Sequence, residues 1–268
     1  MGAALELLTG FVTAPSTTFT ALTMASGNSS TIRNTDLAKG IRLLQTWVDV
    51  QGAGNWRIRS PKLHDNVQGI NLGTTISDVV TLLPWLAPQR LYPQDVLTLE
   101  LTGSATAGDI ETACLLVYYE DLPGNAARLV GPDEIMRRAV NYVTVNNTLA
   151  TGTAGGYSGE EAINAETDLL KANTDYALLG YEVSAECAAV RWRGADTSNL
   201  GVGGPGNETL KHVTVEWFLR LSQRFGMPLI PVFNSANRGG ILVDAAQDEN
   251  GTDVAVTSVF VELAPAAR

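Results

Sequence analysis

Histidine, the side chain most often used as a metal ligand and as an acid–base group near neutral pH, is scarce in this chain. The 268 residues include two, His64 and His212. His64 lies in a polar stretch and His212 on the polar side of an alternating pattern, so both are interpreted as surface residues. Neither half of the chain contains the H-x-H pair that would hold a metal in a two-barrel cupin enzyme. A bicupin oxygenase or isomerase is therefore strongly disfavoured.

An acidic stretch near the C-terminus, DENGTD, raises the question of a bound cation. Aligning Gly251 with the sixth position of an EF-hand loop puts residues without a carboxylate at the first and twelfth ligand positions, which excludes that motif. A different cation site built from Asp248, Asn250 and Asp253 stays open as an alternative. Because Asn-Gly is the preferred pair of a type I′ turn, the sequence predicts instead a hairpin of two antiparallel strands over residues 241–263.

Other catalytic motifs are missing from the sequence. The Gly-rich stretch at residues 201–207 is not followed by the Gly-Lys-Ser/Thr of a phosphate-binding loop, and no G-x-S-x-G elbow or Cys/His nucleophile pair occurs. The 28 Asp and Glu residues cannot be paired from sequence into a glycosidase site. Cys114 and Cys187 lie in apolar β-type stretches and predict buried free thiols. We therefore expect a protein that is not an enzyme and uses no cofactor.

The charge of the chain argues against one class of partner. Its formal net charge is −10, and no basic stripe offsets this, so we expect no direct nucleic-acid binding. The composition, 45% hydrophobic and 17% charged, is that of a globular protein. No apolar run reaches the roughly 18 residues of a membrane helix, and the first residues lack the basic start of a signal peptide.

Strand signals dominate the chain. The clearest is the stretch at 212–222, where apolar residues at every second position from Val213 to Leu221 predict a strand with Phe218 and Arg220 on its outer face. Similar alternation or β-rich composition predicts three further strands, within residues 95–103, 178–188 and 239–246.

Helical signals are few. Residues 133–140 follow Gly131-Pro132 and begin with two acidic residues, which favours a short helix. Residues 158–171 predict a second, amphipathic helix with Ser158 as its N-cap. Between them, residues 146–159 have the Gly/Thr/Ala-rich composition of a linker.

A series of short stretches occurs twice, in the same order, on the two sides of this linker. One such match can arise by chance, but the common order favours an internal duplication over two unrelated β domains or one continuous β fold. The matched stretches are 35–40 with 167–172, 43–50 with 178–185, Trp56-Arg57 with Trp192-Arg193, 85–90 with 217–224, and 120–122 with 261–263.

The predicted fold class is all-β, with two tandem jelly-roll β-barrels that arose by internal duplication and a few short helices. Each copy has the size of a sandwich or jelly roll, and long crossing loops favour a Greek-key connection. The predicted organisation is an N-terminal arm (1–30), a first jelly roll (31–123), a linker with a short helix (124–160) and a second jelly roll (161–268).

This architecture resembles the double jelly-roll major capsid proteins of tailless icosahedral phages with an internal membrane, of the tectivirus and corticovirus type. The resemblance covers nearly the whole chain and is closest to the small corticovirus-like form. It implies a homotrimer whose six barrels form a pseudo-hexamer that tiles an icosahedral virion shell. It further implies neighbouring capsomers, penton or minor capsid proteins and the viral membrane as partners, with the N-terminal arm beneath the shell.

Trimer contacts are expected on barrel flanks and loops, at Phe218 and Arg220 and, in the loop at 196–207, at Asn199 and Leu200. Two alternatives remain. A tandem β-sandwich binding module, such as a phage spike or a carbohydrate-binding protein, could use its tryptophans to stack on sugars, although their strand-like positions favour core packing. A minor capsid or cement protein would share the two barrels.

Overall fold

A computed structural model describes residues 2–35, 40–63, 65–76, 80–83, 89–125, 127–150, 152–164, 169–247 and 253–265. Strands dominate it, all the strand pairs are antiparallel, and the helices are short. In the described ranges, no helix is long and apolar enough to cross a membrane. The expectation of an all-β chain with a few short helices is confirmed.

The strands fall into two consecutive sets, which we call the first half (residues 2–122) and the second half (residues 129–263). The first half contains β1 (Gly2–Thr13), β2 (Thr20–Ala21), β3 (Thr23–Met24), β4 (Ile41–Asp49), β5 (Asn55–Arg59), β6 (Ile70–Thr74), β7 (Thr81–Leu83), β8 (Gln89–Leu91), β9 (Thr98–Leu101) and β10 (Ile110–Leu122).

Among the described residues, the second half contains three α-helices and nine strands. The helices are α1 (Pro132–Arg138), α2 (Lys211–Thr214) and α3 (Trp217–Phe225). The strands are β11 (Leu129–Val130), β12 (Ala139–Leu149), β13 (Gly156–Ala162), β14 (Asp175–Val183), β15 (Cys187–Arg193), β16 (Val202–Gly206), β17 (Ile230–Asn234), β18 (Leu242–Gln247) and β19 (Val254–Leu263).

Each half consists of two sheets. In the first half they have the orders β3-β1-β10-β4-β7, with β8 also on β4, and β2-β9-β5-β6. In the second half the orders are β11-β17-β14-β19-β12 and β13-β18-β15-β16. No sheet in the described ranges closes on itself, so each half is a pair of open sheets rather than the closed barrel expected from the sequence.

The two halves share one strand order. If the short strands β3, β8 and β11 are left out, each half has eight strands, which we number by their order along the chain. One sheet of each half then reads 1-8-3-6 and the other reads 2-7-4-5. These orders require the chain to cross repeatedly between the sheets, which is consistent with a jelly roll and not with a meander.

Two apolar cores hold the sheets together. The first lies between the two sheets of the first half and includes Ala4, Leu8 and Trp56. The second fills the second half and extends to the opposite face of β1, where Leu5 and Leu7 belong to it. Because side chains alternate along a strand, β1 contributes to both cores. The N-terminal residues are therefore a central strand of the first half, and the predicted separate arm over residues 1–30 is wrong.

Residues 132–138 form α1, which confirms the helix predicted at 133–140. Its proline lies in the first turn with Asp133 and Glu134, and Arg137 and Arg138 lie in the last turn, as the helix dipole favours. The second predicted helix, at 158–171, is wrong over its first part, because residues 156–162 form β13, paired with β18. Residues 139–149 form β12, paired with β19, so the predicted linker over 124–160 is also wrong in its later part.

The stretch predicted as an alternating strand at 212–222 is helical, because it forms α2 and α3. Trp217, Phe218, Leu221 and Ser222 are buried, a helical spacing that places them on one face. This face covers β14, and α2 passes so close that a Cβ at Gly180 would lie 2.2 Å from the Thr214 carbonyl oxygen. Glycine is what permits this approach.

The predicted hairpin over residues 241–263 is also wrong. β18 and β19 belong to different sheets, β18 between β13 and β15, and β19 between β12 and β14. The chain therefore crosses between the sheets after β18, as the shared strand order requires. Asn250-Gly251 and the cation ligands Asp248 and Asn250 lie outside the described residues, and Asp253 is exposed.

Candidate functional site

The two halves pack against each other along a surface that we call the seam. On one side lie β1, β4 and β10 of the first half, and on the other side β15 and β16 of the second half. Hydrogen bonds between described residues cross it, and three of them are short. Trp47 Nε1 donates to the Ala188 carbonyl oxygen at 2.8 Å, the Leu7 amide donates to the Gly201 carbonyl at 2.7 Å, and Thr9 Oγ1 lies 2.7 Å from Tyr157 Oη.

The seam is apolar and fully buried at its centre. The ring of Trp47 contacts that of Trp217 edge-on, with centroids 5.9 Å apart. Cys114 lies beside these residues, and Cys187 is buried in the second half; both are free, as predicted. Burial raises the pKa of the Cys114 thiol far above its ordinary value, so this thiol is neither nucleophilic nor a ready metal ligand.

A buried ion pair lies next to the apolar centre of the seam. Arg191 donates from Nε and Nη2 to the two carboxylate oxygens of Asp244, at 2.8 and 2.9 Å. The guanidinium carbon of Arg191 lies 3.4 Å from the centre of the Tyr157 ring. Burial, opposed by this guanidinium, raises the pKa of the Tyr157 hydroxyl well above its ordinary value. The pair joins β15 to β18 within the second half, and the Tyr157 hydroxyl beneath it contacts Thr9 of the first half.

A small polar cavity of about 110 Å³ opens at one end of the seam and is lined by both halves. Glu6 and Arg33 come from the first half, and Arg191, Arg193 and Asn199 from the second. The Glu6 carboxylate accepts two short bonds from Arg33, and it also accepts one at 2.8 Å from the Tyr119 hydroxyl. Its charge is thus matched within the first half.

The residues predicted as trimer contacts fall into two groups. Phe218 is fully buried beneath α3 and Leu200 is buried in the core of the first half, so neither is accessible to a partner. Arg220 and Asn199 are exposed. Asn199 has φ of 57°, in the loop that leads to Gly201 and therefore to the seam. That loop belongs to the second half and contacts the first half of the same chain. Arg220 lines an apolar groove of about 250 Å³ beside α3.

The histidines and tryptophans can also be placed. His64 lies outside the described residues, and His212 is exposed on α2, in agreement with its surface interpretation. Trp47, Trp56, Trp192 and Trp217 are buried, which confirms core packing for these four. Trp85 lies outside the described residues. The sequence interpretation missed the seam, although one signal was present. Seven successive apolar residues in β10, ACLLVYY, are typical of a strand covered on both faces.

Comparisons with known proteins give little beyond this description. No family model matches the chain, and no curated protein matches it. Among solved structures, the exported protein XepA of PBSX is similar at 11% identity and a TM-score of 0.26, over 96% of this chain and 86% of that one. The major capsid protein P2 of bacteriophage PM2 is similar at 8% identity and a TM-score of 0.25, over 99% and 100%. TM-scores this low assign neither a fold nor a function.

Proposed function

We propose that this chain is a major capsid protein, a structural component of a phage shell in which a trimer presents six jelly rolls as a pseudo-hexamer. The observation that carries the proposal is the shared strand order of the two halves, 1-8-3-6 and 2-7-4-5 in each. Two equivalent units on one chain turn a threefold assembly into a nearly sixfold one, which is the footprint that a closed lattice needs.

The positions of the sequence matches support an origin by tandem duplication. Trp56-Arg57 and Trp192-Arg193 lie on the fourth strand of their halves, β5 and β15. The stretches at 43–50 and 178–185 begin within the third strands, β4 and β14. The stretches at 120–122 and 261–263 end the eighth strands, β10 and β19. Three of the five matches therefore fall on equivalent strands, whereas the match of 85–90 with 217–224 falls on helix α3 in the second half.

The same proposal assigns the partners and the location. A trimer must contact neighbouring capsomers, penton or minor capsid proteins close the shell, and an internal membrane would lie beneath it. The chain would act in the virion, with no enzyme activity, no cofactor and no direct contact to nucleic acid. The competing function, a tandem binding module that stacks sugars on tryptophan, is less favoured because the four described tryptophans are buried.

Light scattering coupled to size-exclusion chromatography, followed by negative-stain microscopy, tests the proposal. The chain has a mass of 28.5 kDa, and we expect a particle of three times that mass with a hexagonal outline. Raising the concentration should produce sheets or shells of such particles. A monomer at all concentrations that binds a glycan array would overturn the proposal and favour the binding module.

A further inference from the structure

The seam uses a different surface from each half. From the first half it uses the outer face of the sheet that contains β1, the first of the eight strands. From the second half it uses the outer face of β15 and β16, the fourth and fifth strands. The contact is therefore heterologous. The second half keeps exposed its counterpart of the β1 face, and the first half keeps exposed its counterpart of the face of β15 and β16.

The first of these unused surfaces is the outer face of β12, the counterpart of β1. In β1 the outward residues include Leu5, Leu7 and Phe11, and all are buried by the second half. In β12 the outward row is exposed, and at the start of the strand Ala139 and Asn141 are exposed as well. The outward row consists of Val140, Tyr142, Thr144, Asn146 and Thr148. β12 is also an edge strand, since it pairs with β19 alone among the described strands. Helix α1 adds Met136, which is 83% exposed, at one end.

The second unused surface is the outer face of β5 and β6, the counterparts of β15 and β16. Every residue of β16 is buried, and so is every residue of β15 except the last. In β5 the burial alternates, and no residue of β6 is fully buried. Two of the most exposed apolar residues of the first half flank β6. Val67, which precedes it, is 77% exposed, and Ile76, which follows it, is 60% exposed.

The edges of the sheets show the same correspondence between the two halves. At the seam, the Leu7 amide on the outer edge of β1 donates to the carbonyl oxygen of Gly201, the residue that immediately precedes β16. Gly69 holds the equivalent place immediately before β6. Over residues 140–146, the outer edge of β12 accepts no strand from the described part of the chain. A long open edge is a template for another backbone, so this edge calls for a partner.

We infer that the seam is repeated between copies of this chain, with the outer face and edge of β12 on one copy docked against β5 and β6 of the next. The inference rests on the proposed function and specifies its interface. A second copy is the occupant because this chain supplies both surfaces, and their counterparts already fit each other within it. Three such contacts alternate with three seams, so that six halves close a ring.

The composition of the two contacts agrees with this assignment. The centre of the seam is buried within one chain, and its β1 row is mostly aliphatic or aromatic. The β12 row is exposed in a free subunit, and it combines Val140 and Tyr142 with Thr and Asn. Contacts formed between folded subunits have a small apolar centre, often with Tyr, and a polar rim.

Three arginine substitutions test the inference. Tyr142→Arg changes the β12 surface and Val67→Arg the β6 surface. Ala236→Arg is the matched control, because Ala236 is exposed in a 3₁₀ helix that contacts β17, across the sheet from β12. All three sites are exposed, so each variant should fold, which far-UV circular dichroism and thermal unfolding verify. We expect both surface variants to be monomers of 28.5 kDa and the control to keep the wild-type mass.

Mixing the two surface variants gives the sharper result. Each variant retains the surface that the other has lost, so an equimolar mixture should form a particle of twice the monomer mass, with one variant of each kind. A self-complementary contact of β12 with β12 would produce no such heterodimer. Surface variants that keep the wild-type trimer, or a mixture that stays monomeric, would overturn the inference and leave the proposed function standing. A wild-type chain that is itself monomeric would overturn both.

Discussion

The tryptophans at the seam and in the first core allow a paired test of how the halves are joined. Trp47 and Trp56 are both fully buried, in the consecutive strands β4 and β5, which belong to different sheets of the first half. Trp47 Nε1 donates across the seam to the Ala188 carbonyl. Trp56 Nε1 is buried and has no hydrogen-bond partner in the described part of the chain. Trp47→Phe and Trp56→Phe remove the same atoms, so they differ in this bond and in the edge-on contact of Trp47 with Trp217.

The magnitude follows from the cost of an unpaired buried group. Trp47→Phe leaves the Ala188 carbonyl without its partner, which costs about 1–3 kcal/mol beyond the loss of packing. Trp56→Phe removes a donor that is already unpaired, so it carries no such penalty and relieves one. We expect the free energy of unfolding to fall by about 1–3 kcal/mol more for Trp47→Phe than for Trp56→Phe.

Urea unfolding followed by far-UV circular dichroism measures the difference, because both substitutions change the fluorescence itself. All samples should have one protein concentration, since the stability of an oligomer depends on it. Losses that agree within about 0.5 kcal/mol, or a larger loss for Trp56→Phe, would refute the reasoning. The Trp47–Ala188 bond would then contribute nothing to the attachment of the second half.

Three further predictions concern the stability of the fold. Leu200→Ala should lower the free energy of unfolding by about 2–5 kcal/mol, because Leu200 fills the core of the first half, whereas Asn199→Ala should change it little. Gly180→Ala should cost about 1–3 kcal/mol or more in thermal unfolding, because its Cβ would meet the α2 backbone. Arg128→Gln should destabilise at neutral pH and progressively less as the pH falls below 3.8.

The pH dependence of the Arg128→Gln effect depends on the pKa of Asp175. The Arg128 guanidinium, with Asn234, holds the pKa of Asp175 below its ordinary value despite partial burial. A carboxyl with a lowered pKa stabilises the fold above the pKa of the unfolded chain, and this contribution disappears as the pH falls through the lower folded value. Urea titrations at several pH values would show it. A penalty for Arg128→Gln that is the same at pH 7 and in acid would contradict the assignment.

Much of the secondary structure was accessible from sequence because burial leaves a two-residue period or a compact apolar run. The stretches around Leu99, Tyr181 and Val243 were predicted as strands, and they lie in β9, β14 and β18. The order of repeated landmarks also anticipated that equivalent strands occur in both halves. Pairing was less accessible, because the strands that follow each other at 241–263 belong to different sheets. Nothing local distinguishes such a crossing from a hairpin.

The helices at 211–225 show where a local pattern loses to tertiary packing. Val213, Val215, Trp217, Leu219 and Leu221 fit a strand, but Trp217, Phe218 and Leu221 equally fit one face of a helix. The choice depends on β14, whose outer face needs a cover and whose Gly180 leaves room for a backbone. When an apolar pattern fits both the strand period and the helix period, the surface that it must cover selects the structure. That surface is distant in sequence.

The first strands of the two halves, β1 and β12, differ in what covers their outward faces. β1 and β12 hold the same place in the strand order, yet the outward row of β1 is buried along most of its length and the outward row of β12 is exposed. In both strands the inward row packs into the interior of its own half. The outward row of β1 is apolar because the second half covers it permanently. The outward row of β12, with Val140 and Tyr142 among threonine and asparagine, has the composition of a surface that must tolerate water before it is covered.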